Sequence, residues 1–112
     1  MPLEKGSIGE ILVQLVHIYE RAHHKNIGLY QLWEKIVEYH DTGGGHRFYI
    51  LCEYDKSRPH MEFMHDMVQL RNQGFLKQDN KKGFGLTPIG RSFVLGRCLP
   101  GVLRSLELRL EQ

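Results

Sequence analysis

The stretch "LRNQGFLKQDNKKGFGLTPIGR", residues 70–91, decides the fold because it combines a helix end, two short apolar segments and a basic turn. Gly74 stands where a glycine commonly ends a helix in the left-handed conformation. Phe75 and Leu76 then begin a strand, the letters DNKKG supply turn residues, and residues 84–87 return as a second strand. The stretch therefore predicts a β-hairpin attached directly to the end of a helix.

Helices are predicted on both sides of this hairpin. Before it, residues 59–73 begin with Pro59, a residue type suited to the first helical position. After it, Thr87 and Pro88 are the residue types preferred at the N-cap and the first position of a helix. The inward side of the helix over residues 59–73 is predicted from its apolar spacing to consist of Phe63, Met67 and Leu70, with Met64 beside them.

Two further helices are predicted in the first third of the chain. The segment "SIGEILVQLVHIYERAHHK", residues 7–25, opens with Ser7 and Glu10 in the spacing of a capping box, and its apolar period predicts one buried face. The segment "LYQLWEKIVEYH", residues 29–40, repeats the signal, with polar residues on the opposite side. The predicted core stripe of this second helix is Leu29, Leu32, Trp33, Ile36 and Val37.

The secondary structure of residues 41–54 is less clearly predicted by the sequence. Three successive glycines within "DTGGGH" disfavour both helix and strand, so residues 41–45 are predicted to form a loop. In residues 46–54, the run from Phe48 to Cys52 suits a short buried strand and equally one or two turns of buried helix. Helix is the interpretation preferred here, with strand left open.

The last segment, residues 99–111, repeats leucine at spacings of four, three and four, which is typical of a helix that needs a partner. We therefore predict a homodimer in which this helix pairs with the N-terminal helix across a two-fold axis. The alternative is that the last helix folds back on its own domain. The predicted dimer interface consists of Leu99, Leu103, Leu106 and Leu110.

Length and composition limit the classes of protein that fit. A chain of 112 residues and 13.1 kDa supports one hydrophobic core, so residues 1–112 are predicted to form a single domain. The net charge of +2 and the pI near 8.6 fall short of the strongly basic range, so affinity for nucleic acid would have to come from a local patch. With two cysteines, no signal-peptide pattern and no apolar run of membrane-spanning length, we expect a cytoplasmic protein with no membrane partner.

The predicted order of elements, and residues 70–91 in particular, resemble the winged helix-turn-helix domains of MarR-like and PadR-like transcriptional regulators. In those families a recognition helix ends in a leucine, a few polar residues, a glycine and an apolar pair, and the wing and an "LT-x-x-G" motif follow. The resemblance implies an α+β, mainly helical fold with a two-stranded wing and flanking N- and C-terminal helices. It implies that residues 59–73 form the recognition helix and that residues 75–87 form the wing. Residues 47–54 would then form the first helix of the motif, because a five-residue turn over residues 55–59 follows them, with an insertion as the alternative.

The same resemblance implies a transcriptional regulator whose partner is double-stranded DNA. The recognition helix and the basic residues around it would then contact the DNA. Against this, Glu62 and Asp66 also lie on the outward side of that helix, and carboxylates are repelled by phosphate. These two residues and the small net charge favour a rival function, a winged-helix protein-interaction module within a larger assembly. The candidate DNA-binding residues are Arg58, His60, His65, Gln69, Asn72, Lys77, Lys81 and Lys82.

Metal binding and catalysis have little support in the sequence. Seven histidines are many for this length, but His60 and His65 are five residues apart and do not share a helix face as i and i+4 ligands would. Cys52 and Cys98 lack a close second ligand. No phosphate-binding glycine loop follows a recognisable strand, so the sequence predicts neither a metal, nor a cofactor, nor an enzyme.

Overall fold

The computed structural model describes residues 3–4, 6–42, 58–81 and 83–112. These residues form an α+β structure that is mostly helical, with five α-helices, one 3-10 turn and a three-stranded antiparallel sheet. The two interpretations of residues 46–54, and most of the predicted loop over residues 41–45, fall outside the described residues. The elements are α1 Ile8–His23, β1 Ile27–Gly28, α2 Leu29–Asp41, α3 Met61–Asn72, β2 Leu76–Gln78, β3 Gly83–Leu86, α4 Pro88–Val94, the 3-10 turn Gly101–Leu103 and α5 Arg104–Glu111.

Helix α1 lies at the centre of the fold. Its N-cap is Ser7, whose Oγ accepts a hydrogen bond from the Glu10 amide at 3.2 Å, as the capping-box spacing predicts. The Glu10 carboxylate, however, is bonded to Arg97 at 2.8 Å. The prediction of a single buried face is wrong, because every residue from Glu10 to Val16 is buried. The reason is that α3, α4, α5 and β3 all pack against this one helix.

Helix α2 agrees with its prediction. The five predicted stripe residues are all buried, and Tyr39 joins them. The Tyr39 hydroxyl donates a hydrogen bond to the Val102 carbonyl at 2.9 Å, and Arg109 of α5 lies 3.3 Å from the Glu38 carboxylate. These contacts attach the C-terminal segment to α2.

Helix α5 folds back on its own chain. Leu103, Leu106 and Leu110 are each 0% exposed within one chain, packed among α1 and α2, and Leu99 is half-buried against the same core. Residues 99–103 lie before α5, with residues 101–103 in the 3-10 turn, so the predicted span of residues 99–111 begins too early. Because the leucine stripe is already covered, these side chains offer no surface to a second copy in this conformation. The structure thus has the arrangement that was the alternative to the predicted dimer interface.

The sheet has the strand order β1, β3, β2. Strands β2 and β3 form the predicted hairpin, in which Leu76 pairs with Leu86 and Lys77 pairs with Gly85. The short strand β1 was not predicted, and it adds to the hairpin by pairing Ile27 with Phe84. Two residues are too few to show the alternation by which a strand is recognised in sequence.

The connections between the hairpin and its two flanking helices are the predicted ones. Gly74 has φ +87° and ends α3 in a Schellman motif, in which the Phe75 amide donates to the Leu70 carbonyl at 3.0 Å. Thr87 caps α4 by accepting a hydrogen bond from the Gly90 amide at 3.0 Å. The Thr87 hydroxyl also donates to the Phe75 carbonyl at 3.1 Å, so the start of α4 is attached to the end of α3.

None of the helices in the part of the chain that the structure describes combines the length and the apolar character that crossing a membrane requires.

Candidate nucleic-acid interface and an adjoining basic cleft

Helix α3 begins at Met61, two residues later than Pro59 suggested. The N-cap is His60, whose Nδ1 accepts a hydrogen bond from the Glu62 amide at 3.2 Å. The ring of His60 also stacks on Trp33 at a centroid separation of 6.1 Å. His60, a candidate DNA contact, therefore serves to hold the start of α3 against α2.

Four other outward residues of α3 are exposed and form hydrogen bonds with neighbouring side chains: His65, Gln69, Arg71 and Asn72. The side chains of His65 and Gln69, one turn apart, approach to 3.4 Å between Nε2 atoms. Arg71 donates to Asn72 at 3.4 Å and also to Gln78 of β2. Phe63, Met67 and Leu70 are buried as predicted, so the orientation of α3 is the predicted one, but Met64, predicted to lie beside them, is exposed.

The first half of α3 has a different surface. Met61 is 83% exposed, and Met64 and Glu62 are also exposed. A hollow of about 410 Å³ lies between this half of the helix and Ile8 of α1. Its walls combine the thioether of Met61, the imidazole of His65 and the carboxylates of Glu62 and Asp66.

The hairpin tip is organised by Asp79. Its carboxylate Oδ1 accepts hydrogen bonds from the amides of Lys81 and Gly83, both at 2.8 Å, and Oδ2 accepts from Asn26 at 3.1 Å. The Gly83 amide, followed by the Asn26 side chain, lowers the pKa of Asp79 below its usual value. Lys81 is thereby held exposed at the tip, and Lys82 lies outside the described residues.

The structure divides the candidate DNA-binding residues between two faces of the hairpin. Gln78 contacts Arg71 on the α3 side, whereas the preceding residue, Lys77, lines a cleft beside α1. Successive side chains of a strand point to opposite faces, which separates Lys77 from α3. Arg58 is exposed just before α3 and has no carboxylate partner among the described residues.

The cleft beside α1 has a volume of about 560 Å³ and is bounded by the end of α1, strand β2 and helix α4. We call it the basic cleft. Its lining residues are His17, Glu20, Arg21, His24, Lys25, Asn26, Lys77 and Arg91.

Glu20 organises the inner wall of the basic cleft. Its Oε2 accepts a hydrogen bond from the Leu86 amide at 3.0 Å, and its Oε1 binds the guanidinium of Arg91. Burial would raise the pKa of Glu20, but the Leu86 amide and the Arg91 guanidinium outweigh burial and lower it. Glu20 is therefore a carboxylate at neutral pH, and it fixes the position of Arg91.

The glycines of β3 allow this wall to form. A Cβ at Gly85 would overlap the Asn26 side chain and press on the Glu20 carboxylate, while a Cβ at Gly83 would press on Asp79. Asn26 and Glu20 therefore lie directly over the strand. Glycines inside a strand are a known sign of close approach, and the letters "GFG" at residues 83–85 carry that signal in the sequence.

Three cations of the basic cleft, Arg21, Lys25 and Lys77, form no ion pair with any described residue. By contrast, Arg97, Arg104 and Arg109 each have a carboxylate partner elsewhere on the molecule. Burial, followed by the neighbouring charge of Arg21, lowers the pKa of His17, so this imidazole is neutral at pH 7. Sequence reasoning missed this cleft, apart from Lys77, because its residues come from three separated segments.

No group of three or more potential metal ligands occurs within residues 3–4, 6–42, 58–81 and 83–112. Cys98 is an exposed free thiol, and Cys52 lies outside those ranges. Comparisons with protein-family models, with curated proteins and with solved structures gave no match for this chain.

Proposed function

We propose that this protein is a winged-helix transcriptional regulator of the cytoplasm that binds duplex DNA through the outward side of α3 and the hairpin tip. The observation that carries the proposal is the junction at Gly74, where α3, exposed and polar on its outer side, leads directly into a hairpin. The order helix, strand, helix, helix, hairpin, with β1 paired to β3, is compatible with a winged helix. A recognition helix and wing held in this way can contact a groove and the adjacent backbone together.

The residues suggest a division of roles on DNA. Gln69 and Asn72 carry side-chain amides, which can pair with the edge of adenine in the major groove. Arg58 and Lys81 are exposed cations near the two ends of this surface and would contact phosphates. Glu62 sits in the first half of α3 and would weaken binding there, so contact is expected to centre on the second half of the helix.

The test is binding of the protein to random-sequence duplex DNA over a series of salt concentrations. Affinity should fall steeply with salt, and Lys81→Ala combined with Lys82→Ala should weaken binding to every sequence, with a salt slope smaller by about 1–2. Lys35→Ala, on α2, is the matched control and should leave the slope unchanged. Salt-independent binding, or none at low salt, would contradict the proposal.

The amides have their own test within the same assay. Gln69→Ala or Asn72→Ala should change the preference among sequences more than the overall affinity, because base contacts specify and phosphate contacts position. Equal losses on all sequences would assign these amides no role in reading bases.

A second candidate function is supported by the first half of α3. An exposed methionine beside carboxylates, over a hollow of about 410 Å³, is a surface suited to a protein partner with apolar and basic groups. A winged helix used as a protein-interaction module would bind through this half. Failure to bind DNA at low salt, with Met61→Ser raising solubility, would favour this function.

We also propose a homodimer, because a two-fold axis would set two wings at a fixed separation on DNA. The interface would not consist of Leu103, Leu106 and Leu110, which are buried within one chain. Sedimentation of the unmodified protein tests it, since a species near 13.1 kDa at micromolar concentration would exclude the dimer.

A further inference from the structure

We propose that the basic cleft binds a small anion that carries several phosphate charges, at a site separate from the proposed DNA surface. The lining residues provide four cationic side chains against one carboxylate, which is a local excess of three positive charges. The net charge of the entire chain is only +2, so this one cleft holds more excess charge than the molecule as a whole. Such concentration attracts a multiply charged anion.

The charge at the end of helix α1 explains only part of this cluster of cations. Arg21 and Lys25 lie at the end of α1, where cations balance the partial negative charge of the exposed carbonyl groups. That partial charge is about half an elementary charge, which one cation offsets. Lys77 and Arg91 come from β2 and α4, so the helix end does not account for their presence.

The geometry favours a small ligand over a duplex. The cleft is a shallow hollow that is open to solvent, and its volume of about 560 Å³ lies within the roughly 300–1,000 Å³ of small-molecule sites. It opens on the side of the hairpin opposite to the Arg71–Gln78 contact, because Lys77 and Gln78 point to opposite faces of β2. A duplex held on α3 would therefore lie on the other face of the hairpin, although the hairpin tip adjoins the cleft through the bond between Asp79 and Asn26.

Side chains of the inner wall of the basic cleft are held in place before any anion binds. Glu20 holds Arg91 in place, and Asn26 is bonded to Asp79, so binding need not immobilise these side chains. The planar guanidinium has five N–H donors, and those that Glu20 does not use remain for a phosphate oxygen. Arg21, Lys25 and Lys77 are exposed and unpaired among the described residues, so no ion pair must break when the anion enters.

The test is calorimetric titration of the full chain with inorganic tripolyphosphate and, separately, with adenosine triphosphate, both without divalent metal. We expect saturable one-to-one binding that Lys25→Gln combined with Lys77→Gln weakens about tenfold. Similar affinities for the two probes would mean that the phosphate chain alone is recognised, and tighter binding of adenosine triphosphate would mean that a nucleotide is. Absence of binding of either probe at millimolar concentration would overturn the proposal.

The matched control is Lys35→Gln combined with Arg104→Gln, which removes the same charge outside the cleft. Its affinity for the probes should stay within about twofold of the unmodified protein. An equal loss of affinity in the control variant would mean that the probes bind by general charge attraction, and it would refute the proposed site.

Two further measurements separate this proposal from DNA binding. Amide chemical-shift changes in the unmodified protein on adding tripolyphosphate should fall on residues 17–26, Lys77 and Arg91, whereas changes confined to α3 and the hairpin tip would disprove the assignment. The Lys25→Gln, Lys77→Gln variant should bind duplex DNA as the unmodified protein does. A parallel loss of DNA binding would make the cleft part of the DNA surface, while failure of all DNA binding leaves the titration result unaffected.

Discussion

The two faces of the hairpin differ in charge and in the hydrogen bonds and ion pairs that their side chains form. On the α3 face, Gln69 pairs with His65, Arg71 pairs with Gln78, and carboxylates occupy the first half of the helix. On the α1 face, Arg21, Lys25 and Lys77 form no ion pair with any described residue, and they lie beside a wall that Glu20 organises. Basic residues adjacent in sequence to a predicted recognition helix therefore need not share its surface. Lys77 is such a residue.

We expect the largest effect from a substitution that disturbs both faces of the hairpin. Both faces depend on α1, and α5 packs against α1. Leu106→Glu places an unpaired charge at a side chain that is fully buried. We expect a loss of about 3–5 kcal/mol in the free energy of unfolding, measured by urea denaturation. Leu108→Glu on the same helix, at a position 45% exposed, is the control and should cost about 0.5 kcal/mol or less.

The outcome of this first experiment also bears on the dimer. A stable, folded monomer from Leu106→Glu would mean that the leucine stripe of α5 serves a partner and not the core of its own chain.

A smaller effect is expected from Glu20→Gln, which changes only the α1 face. The substitution removes the charge that binds Arg91 but keeps an oxygen for the Leu86 amide, so the cost should be about 1–2 kcal/mol at pH 7. Glu107→Gln, which breaks the exposed pair with Arg104, is the control and should cost about 0.5 kcal/mol.

The cost of Glu20→Gln should depend on pH with a definite sign. The folded protein lowers the pKa of Glu20 from 4.5, so the folded state holds this proton less tightly than the unfolded chain does. The stabilisation is therefore complete above the unfolded pKa and is lost as pH falls through the lower, folded value. Urea denaturation should show the difference between the two proteins shrinking in acid, and a difference that grows in acid would reverse the assignment.

The smallest effect is expected on the α3 face. If α3 lies against DNA, Glu62→Gln combined with Asp66→Asn should raise the affinity for duplex DNA about three- to tenfold, or roughly 1 kcal/mol, by removing like-charge repulsion. Glu34→Gln combined with Glu111→Gln changes the net charge equally at exposed sites on α2 and α5. An identical gain in both double variants would place the first half of α3 away from DNA.

Local chemistry explains why some elements could be predicted. The helix end at Gly74, the Thr87 cap and the inward stripe of α3 each depend on residues within a few positions of one another. The prediction for Pro59 was wrong because a His60 imidazole, held against Trp33, caps α3 instead. The single buried face predicted for α1 was wrong because periodicity reveals an apolar stripe but not the number of neighbours that surround a helix.

The hairpin and its two flanking helices could be predicted from sequence, because caps, turns and helical stripes are interactions between near neighbours in the chain. Only the tertiary structure decided what covers the α5 leucines and where the cations gather. The bond from the Leu86 amide to Glu20 spans 66 residues, and the bond from Arg91 to Glu20 spans 71. Contacts at such separations have no period or spacing in the sequence, so the basic cleft exists only once α1, β2 and α4 have packed together.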